Sequence, residues 1–297
     1  MSDTDRVRRF VLEQHPIRGH SVRLARSWLD LREHQQYPPV VQQLLGEAVG
    51  AVVLLAATLK FDGTLTLQLQ GKGLVNLLVA QCTHDFKVRA MARHDPIGGE
   101  AGFRSLTGDG QIIVTVEATD RASSYQGVVP IEGNSLAESL EAYFVQSEQI
   151  PTRVLLAATP GVVSGMLVQR LPGEGGKQPV DPAALEAAWM KADHAMAALN
   201  RIELLEDDTE SRLVKMFGVD QVRLFGGQEV KFECRCSRER VANLLRSLGA
   251  EEVRSVIAEQ GACTVTCEFC QKPYRFDAID VEQLFNGSAP QGSSSIN

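Results

Sequence analysis

Residues 38–73 read PPVVQQLLGEAVGAVVLLAATLKFDGTLTLQLQGKG, and their reading decides the fold class. Pro38 and Pro39 suit the first turn of a helix, and the residues behind them continue as a mostly apolar helix. Asp62-Gly63 then marks a turn, and the Thr-Leu alternation beyond it has the period of a half-buried strand. The most apolar window, Leu44 to Leu59, is sixteen residues long and contains Glu47. It reads as too short and too interrupted to span a bilayer.

Working outward, DFKVRAMARH and GQIIVTVEATD alternate in the same way, and SYQGVVPIEG is a further short strand. NSLAESLEAYFVQSEQIP reads as an amphipathic helix capped by Asn134 or Ser135, with Pro151 just past its end. LLAATPGVVSGMLVQRLP returns to strand. Strands in meanders with helices at intervals predict an α+β protein, its N-terminal part a largely antiparallel sheet with packed helices.

LPGEGGKQPVDP (171–182) is the clearest break in composition and marks a domain edge. DPAALEAAWMKADHAMAALNRIELLEDD follows as a helical stretch, with Asp181 as cap, Pro182 at the first helical position, and Leu185, Trp189, Met196 and Leu199 near one packing face. Residues 181–212 hold eight acidic and three basic side chains, a net −5 of the chain's −7. Rich in alanine and thin in large apolar residues, this connector depends on its neighbours to fold. The sequence therefore divides into an N-terminal domain (1–178), an acidic helical linker (179–232), a small C-terminal domain (233–287) and a disordered tail (288–297).

The chain has 297 residues, 44% hydrophobic and 23% charged, which suits an ordinary globular protein of about two domains. Its net negative charge excludes a sequence-wide basic footprint for nucleic acid and disfavours an anionic membrane surface. MSDTDRVRRFVLEQHP has no apolar run of signal-peptide length, so a cytoplasmic protein with reduced thiols is expected.

Five of the six cysteines fall in the last ninety residues. Cys234 and Cys236 sit in VKFECRC, where alternation in a strand would aim both sulfurs to one side. Cys267 and Cys270 have the spacing of a tight knuckle whose backbone amides can favour thiolate. Two such pairs make a closed tetrahedral site for Zn²⁺, and no histidine follows His194 to compete. An iron–sulfur cluster or a pair of disulfides would use the same residues. Between the pairs, SRERVANLLRSLGA and AEEVRSVIAEQG read as helices, the first capped by Ser237 and stopped by Gly249, the second stopped by Gly261. Asp280 and Gln283 suggest a capping box for DVEQLF.

Most four-cysteine zinc sites are staples for small domains. Here, however, bound thiolates remain oxidisable, and a domain so dependent on its metal would unfold as it is lost.

The spacing C-x-C…C-x-x-C followed by YRFDAIDVEQLF, together with GEAVGAVVLLAATLKFDGTLTLQLQGKG, YQGVVPI and YFVQSEQIPT, resembles the 33-kDa heat-shock protein family of redox-regulated bacterial holdases, from about residue 5 to 287. The resemblance implies an ATP-independent chaperone rather than an enzyme, inactive when reduced and loaded with one Zn²⁺ per chain. It implies Cys234, Cys236, Cys267 and Cys270 as zinc ligands and redox switch, with disulfides Cys234–Cys236 and Cys267–Cys270 on oxidation. Zinc release, unfolding of the C-terminal domain and linker, capture of unfolding client proteins and dimerisation would follow, with no nucleic acid or membrane partner. Trp189 and Met196 would help dock the linker over apolar surface on the N-terminal sheet.

Cys263 departs from the pattern and could replace a ligand, but it reads better as a small core residue, as does Cys82. His84–Asp85 lacks a nucleophile partner, Gly71 and Gly73 read as turn residues, and Glu206, Asp207, Asp208 and Glu210 read as a solvated face. Two other functions compete. One is a zinc-ribbon nucleic-acid module, suggested by Arg235, Arg238, Arg240 and Arg246. The other is a thiol–disulfide oxidoreductase using Cys267 and Cys270, which would want its C-x-x-C at a helix start.

Overall fold

The computed structural model describes residues 4–120, 124–172, 181–218 and 222–286. The expected domain edge at 178 and the tail 288–297 fall outside them. The chain divides into two compact units, Met1–Glu233 and Cys234–Asn297.

The first unit begins with strands β1 (Arg6–Leu12) and β2 (Ile17–Leu24), then helices α1 (Arg26–Arg32) and α2 (Pro39–Thr58). Strands β3 (Gly63–Gln70), β4 (Val75–Thr83) and β5 (Lys87–His94) follow, then α3 (Phe103–Thr107), β6 (Gln111–Ala118) and β7 (Tyr125–Pro130). Next come α4 (Leu136–Tyr143), continued by one π turn, and the hairpin β8 (Thr152–Ala158) and β9 (Val163–Arg170). Three helices, α5 (Pro182–Ala198), α6 (Arg201–Glu206) and α7 (Thr209–Phe217), lead to β10 (Val222–Glu229) and the short β11 (Lys231–Phe232).

The strands form two sheets, ordered β10-β1-β2-β9-β8 and β11-β5-β4-β3-β6-β7. Every described pairing is antiparallel except β11 on β5, which makes the unit α+β as the meanders imply. Helix α2 packs between the sheets. Its core cluster joins Val22, Leu24, Val163 and Leu167 of the first sheet to Leu65, Leu67, Leu78 and Ala80 of the second. The helix is twenty residues long and apolar enough to cross a membrane by length and composition, longer than the window read from sequence. It is mostly buried within this core.

Glycine permits the close approach of α2 to the first sheet. A Cβ on Gly46 would meet Ala158 Cβ at 2.6 Å, and one on Gly50 would meet Val163 Cγ1 at 3.1 Å. Gly46→Leu is therefore expected to destabilise the unit by ~2 kcal/mol or more through overpacking. Thermal unfolding measures this, and an unchanged midpoint would refute the close contact.

The opposite face of the first sheet carries Phe10, Ile17, Met166 and Val168, covered by Ala188, Ala192 and Met196 of α5, Leu204 of α6, and Leu213 and Phe217 of α7. The expected docking of the acidic segment on the sheet is thus present, with Trp189 at its margin. The buried stripe of α5 is Ala188-Ala192-Met196 rather than a row of large side chains. The run read as one helix is broken. Asn200 forms a capping box with Glu203, and Asp208 accepts from the Ser211 amide to start α7. Helix ends at Phe217, so the later part of the expected helical linker is strand.

Polar groups pin this layer. Arg212 is fully buried and donates to Ser21 Oγ (3.2 Å), Leu204 O (2.9 Å) and Asp207 O (2.7 Å), satisfying carbonyls at the end of α6. Ser21 and Thr209 hydroxyls meet at 3.1 Å. Arg201 donates to Ala158 O (2.7 Å) and pairs at 3.5 Å with Glu47, whose carboxyl burial pushes upward in pKa.

On the α2 side of the first sheet, His20 is buried, and its Nδ1 has no hydrogen-bond partner. Burial first, then the charges of Arg18 and Arg9, lower its pKa from 6.5 to about 3. A neutral imidazole in the fold and a protonated one in the unfolded chain make acid destabilising. Full stability holds above about pH 6.5 and falls as pH drops toward 3, by ~2–3 kcal/mol near pH 4.5. Chemical denaturation across this range should show that slope, and His20→Gln should flatten it.

Candidate metal centre

The second unit contains α8 (Arg238–Leu248), α9 (Ala250–Gln260), the hairpin β12 (Cys263–Thr266) and β13 (Pro273–Phe276), and α10 (Ala278–Asn286). Ser237 caps α8 by accepting from the Arg240 amide, and Gly249 and Gly261 stop α8 and α9 at positive φ, as the sequence predicts. The cap of α10 differs. Asp277 accepts from the Asp280 amide at 2.9 Å, and Asp280 accepts from the Asp277 amide at 3.1 Å, so the box sits three residues before the expected Asp280–Gln283.

The core is small: Val241, Ala242, Leu245, Val253, Cys263, Tyr274, Phe276, Val281 and Leu284. Beside it the Sγ atoms of Cys234, Cys236, Cys267 and Cys270 all fall within 4.8 Å of one another. Cys234 meets Cys267 at 3.7 Å and Cys236 meets Cys270 at 3.4 Å. These four side chains are half-buried and could hold a metal ion, and among the described residues no second His/Cys/Asp/Glu group converges in this way.

Local structure brings them together. Cys267 and Cys270 occupy the turn between β12 and β13, closed by Gln271 N to Cys267 O (2.8 Å) and Cys267 N to Lys272 O (3.0 Å). Gln271 supplies the left-handed backbone (φ 56°) that turns the chain. Cys234 and Cys236 follow as irregular chain rather than the expected strand, because pairing stops at Phe232. Their i, i+2 spacing still brings both sulfurs to the cluster.

The thiols differ electrostatically. Burial raises the Cys234 and Cys270 thiols, although the backbone amides of Cys236 and Lys272 respectively oppose it. Burial also acts upward on Cys236, but hydrogen bonds from the Tyr274 hydroxyl and neighbouring cysteines outweigh it and bring the thiol down to about 7. Tyr274 Oη donates to Cys236 Sγ at 3.1 Å, a role that no cysteine spacing reveals. Because peroxide attacks the thiolate and this hydrogen bond favours that form, Tyr274→Phe should slow peroxide oxidation of the reduced protein severalfold near neutral pH. Stopped-flow loss of free thiol tests it, and an unchanged rate would remove Tyr274 from the chemistry.

Cys263 and Cys82 are buried outside the cluster, as expected of core residues. Burial raises the Cys82 thiol far from reactivity. The C-x-x-C sits in a hairpin turn, not at a helix start. Arg238 is engaged by Asp280 (2.7 Å), Arg275 O (2.7 Å) and the Phe276 ring, and Arg246 by Asn243 and Leu284 O. His84 pairs with Asp62, and Asp207 with Lys215.

The chain and its fold have counterparts among known proteins. A protein from Pseudomonas aeruginosa (strain UCBPP-PA14) named 33 kDa chaperonin is 42% identical over 297 residues, covering 99% of each chain. One of the same name from Methylobacillus flagellatus is 41% identical over 286 residues, covering 96% of each. The crystal structure of the 33 kDa chaperonin of Thermotoga maritima superposes with a TM-score of 0.78 at 23% identity, covering 95% of this chain and 98% of that one, and shows the shared fold. The model of the family described as Hsp33 protein matches residues 5–277, and the chain belongs to this family of chaperones.

Proposed function

We propose that the protein is a redox-regulated, ATP-independent holdase, inactive when reduced and metal-bound. The observation that carries this reading is the convergence of four thiols beside a core of nine buried residues. A tetrahedral Zn²⁺ with Zn–S of about 2.3 Å sets sulfurs ~3.8 Å apart, close to the spacing found. Cys234, Cys236, Cys267 and Cys270 would hold one Zn²⁺ per chain. When bound, the ion supplies the positive charge that keeps four thiolates together and closes the small domain.

Peroxide takes two electrons from each neighbouring pair. One sulfur is oxidised to a sulfenic acid, and its neighbour displaces the hydroxyl as water, forming a disulfide. For each pair, two thiols and one H₂O₂ give one disulfide and two waters. The pairs are Cys234–Cys236 and Cys267–Cys270, which leaves no thiolate to hold metal. Residues 234–287 then unfold, and the acidic helices leave the first sheet. Phe10, Ile17, Met166 and Val168, uncovered, bind apolar segments of unfolding clients. The same exposed surface supports dimerisation of the oxidised chain. The protein works in the cytoplasm, without nucleic acid or membrane partners and without enzymatic turnover.

The test is peroxide treatment of the reduced, zinc-loaded protein with mild warming. Release of about one zinc per chain, loss of helix signal and new suppression of client aggregation, all reversed by reductant, are expected. Zinc retained through full oxidant exposure, or oxidised protein that leaves aggregation unchanged, would reject the proposal.

A further inference from the structure

The α2-facing side of the first sheet has an open end whose chemistry the chaperone reading does not use. Strand register places Arg223, Val11 and Arg18 side by side across β10, β1 and β2. Arg9 and His20 face each other in the adjacent row of the same side. With neighbouring strands ~4.8 Å apart, the two outer arginines flank Val11 at a distance that their long side chains can close over.

Two guanidiniums are held against one ring. Arg9 Cζ sits 5.3 Å and Arg223 Cζ 5.1 Å from the centroid of half-buried Phe225. Arg18 is braced by Gln169, whose Oε1 accepts from both Nε (3.1 Å) and Nη2 (3.0 Å) and is neutral. Among the described residues no carboxylate pairs with Arg9, Arg18 or Arg223, although acidic side chains outnumber basic ones 37 to 30 in the chain. His20 adds a buried Nδ1 without a partner beside them. Three oriented, uncompensated guanidiniums and an unsatisfied imidazole nitrogen on one sheet face are what an oxyanion needs.

We propose that Arg9, Arg18 and Arg223, with His20 beneath them, form a binding site for a phosphoryl-type oxyanion. A single carboxylate offers two oxygens, too few for three guanidiniums spread over three strands. A phosphoryl group offers at least three oxygens and a second charge, and it meets the forked donors of arginine two at a time. An oxygen of the anion would also give neutral His20, in its Nδ1–H tautomer, an acceptor.

Titration of the full-length, reduced, zinc-loaded protein with inorganic pyrophosphate, followed by calorimetry and by backbone amide shifts, tests the site. Saturable binding is expected, with shifts centred on residues 9–20 and 222–225. Arg9 and Arg223 are exposed, so the double variant Arg9→Ala/Arg223→Ala should fold normally, and it should bind at least about tenfold more weakly. Arg18→Gln, read the same way, is expected to weaken binding and guards against a fold change in the double variant. An ADP titration separates sources. Tighter binding than pyrophosphate identifies a nucleotide, and equal binding identifies the phosphoryl group alone. No saturation by about 10 mM pyrophosphate, or equal affinity in the folded double variant, would overturn the site.

Discussion

Chelation of the metal from the reduced protein is expected to unfold residues 234–286 while leaving the two sheets of residues 4–232 folded. The second unit has nine buried core residues, among them one alanine and one cysteine. Its helices are nine to eleven residues long, and isolated helices of that length are marginal in water. A structural Zn²⁺ contributes ~10–16 kcal/mol of apparent binding free energy. That exceeds or equals the ~5–15 kcal/mol by which whole domains are stable. Far-UV circular dichroism should lose the signal of three helices, and amide exchange should show protection lost in 238–286 but kept in α2. A chelated protein whose second unit still melts cooperatively would show that the metal is dispensable to the fold.

The second large effect is expected from Ala192→Asp. Ala192 is 1% exposed, on the α5 stripe packed over Met166 and Val168. A carboxylate there is buried without a partner and has no room, costs of several kcal/mol that undocking of the helix avoids. The variant should suppress client aggregation while reduced, without oxidant, and still bind zinc with wild-type stoichiometry. Activity that still needs oxidant would separate the covered apolar face from client binding.

The sequence announces the parts whose signals are local. The proline-led apolar run became α2, the Thr-Leu alternation became β3, and Ser135, Asp181 and Ser237 cap the helices assigned to them. The convergence of the four cysteines is legible because two short spacings already bring the thiols together in pairs. What escaped depends on partners distant in sequence. The break at Asn200 follows from fitting α5 and α6 to a sheet face built from other strands, and Arg212 has meaning only opposite Ser21. Tyr274 reaches Cys236 across 38 residues, which no spacing rule encodes. Similarly, β11 looked like the start of a cysteine-bearing strand, but two residues of parallel pairing to β5 exhaust it.

The placement of β9 and β10 in one sheet changes what release of the acidic helices means. The fifty-one residues between Arg170 and Val222 leave from one strand of the sheet and return to another. The segment is a closed loop and not a frayed tail. Closing such a loop costs entropy that grows only as the logarithm of its length, so the anchors need little added stability to hold it. Loosened, it remains at an effective concentration on the order of millimolar over its own docking face. A client bound to that face, as proposed, would have to outcompete this local excess to stay bound. On the proposed holdase reading, re-reduction would need no search: the covering helices would already be beside the surface they close, and displacement of a client would follow from the connectivity of the sheet.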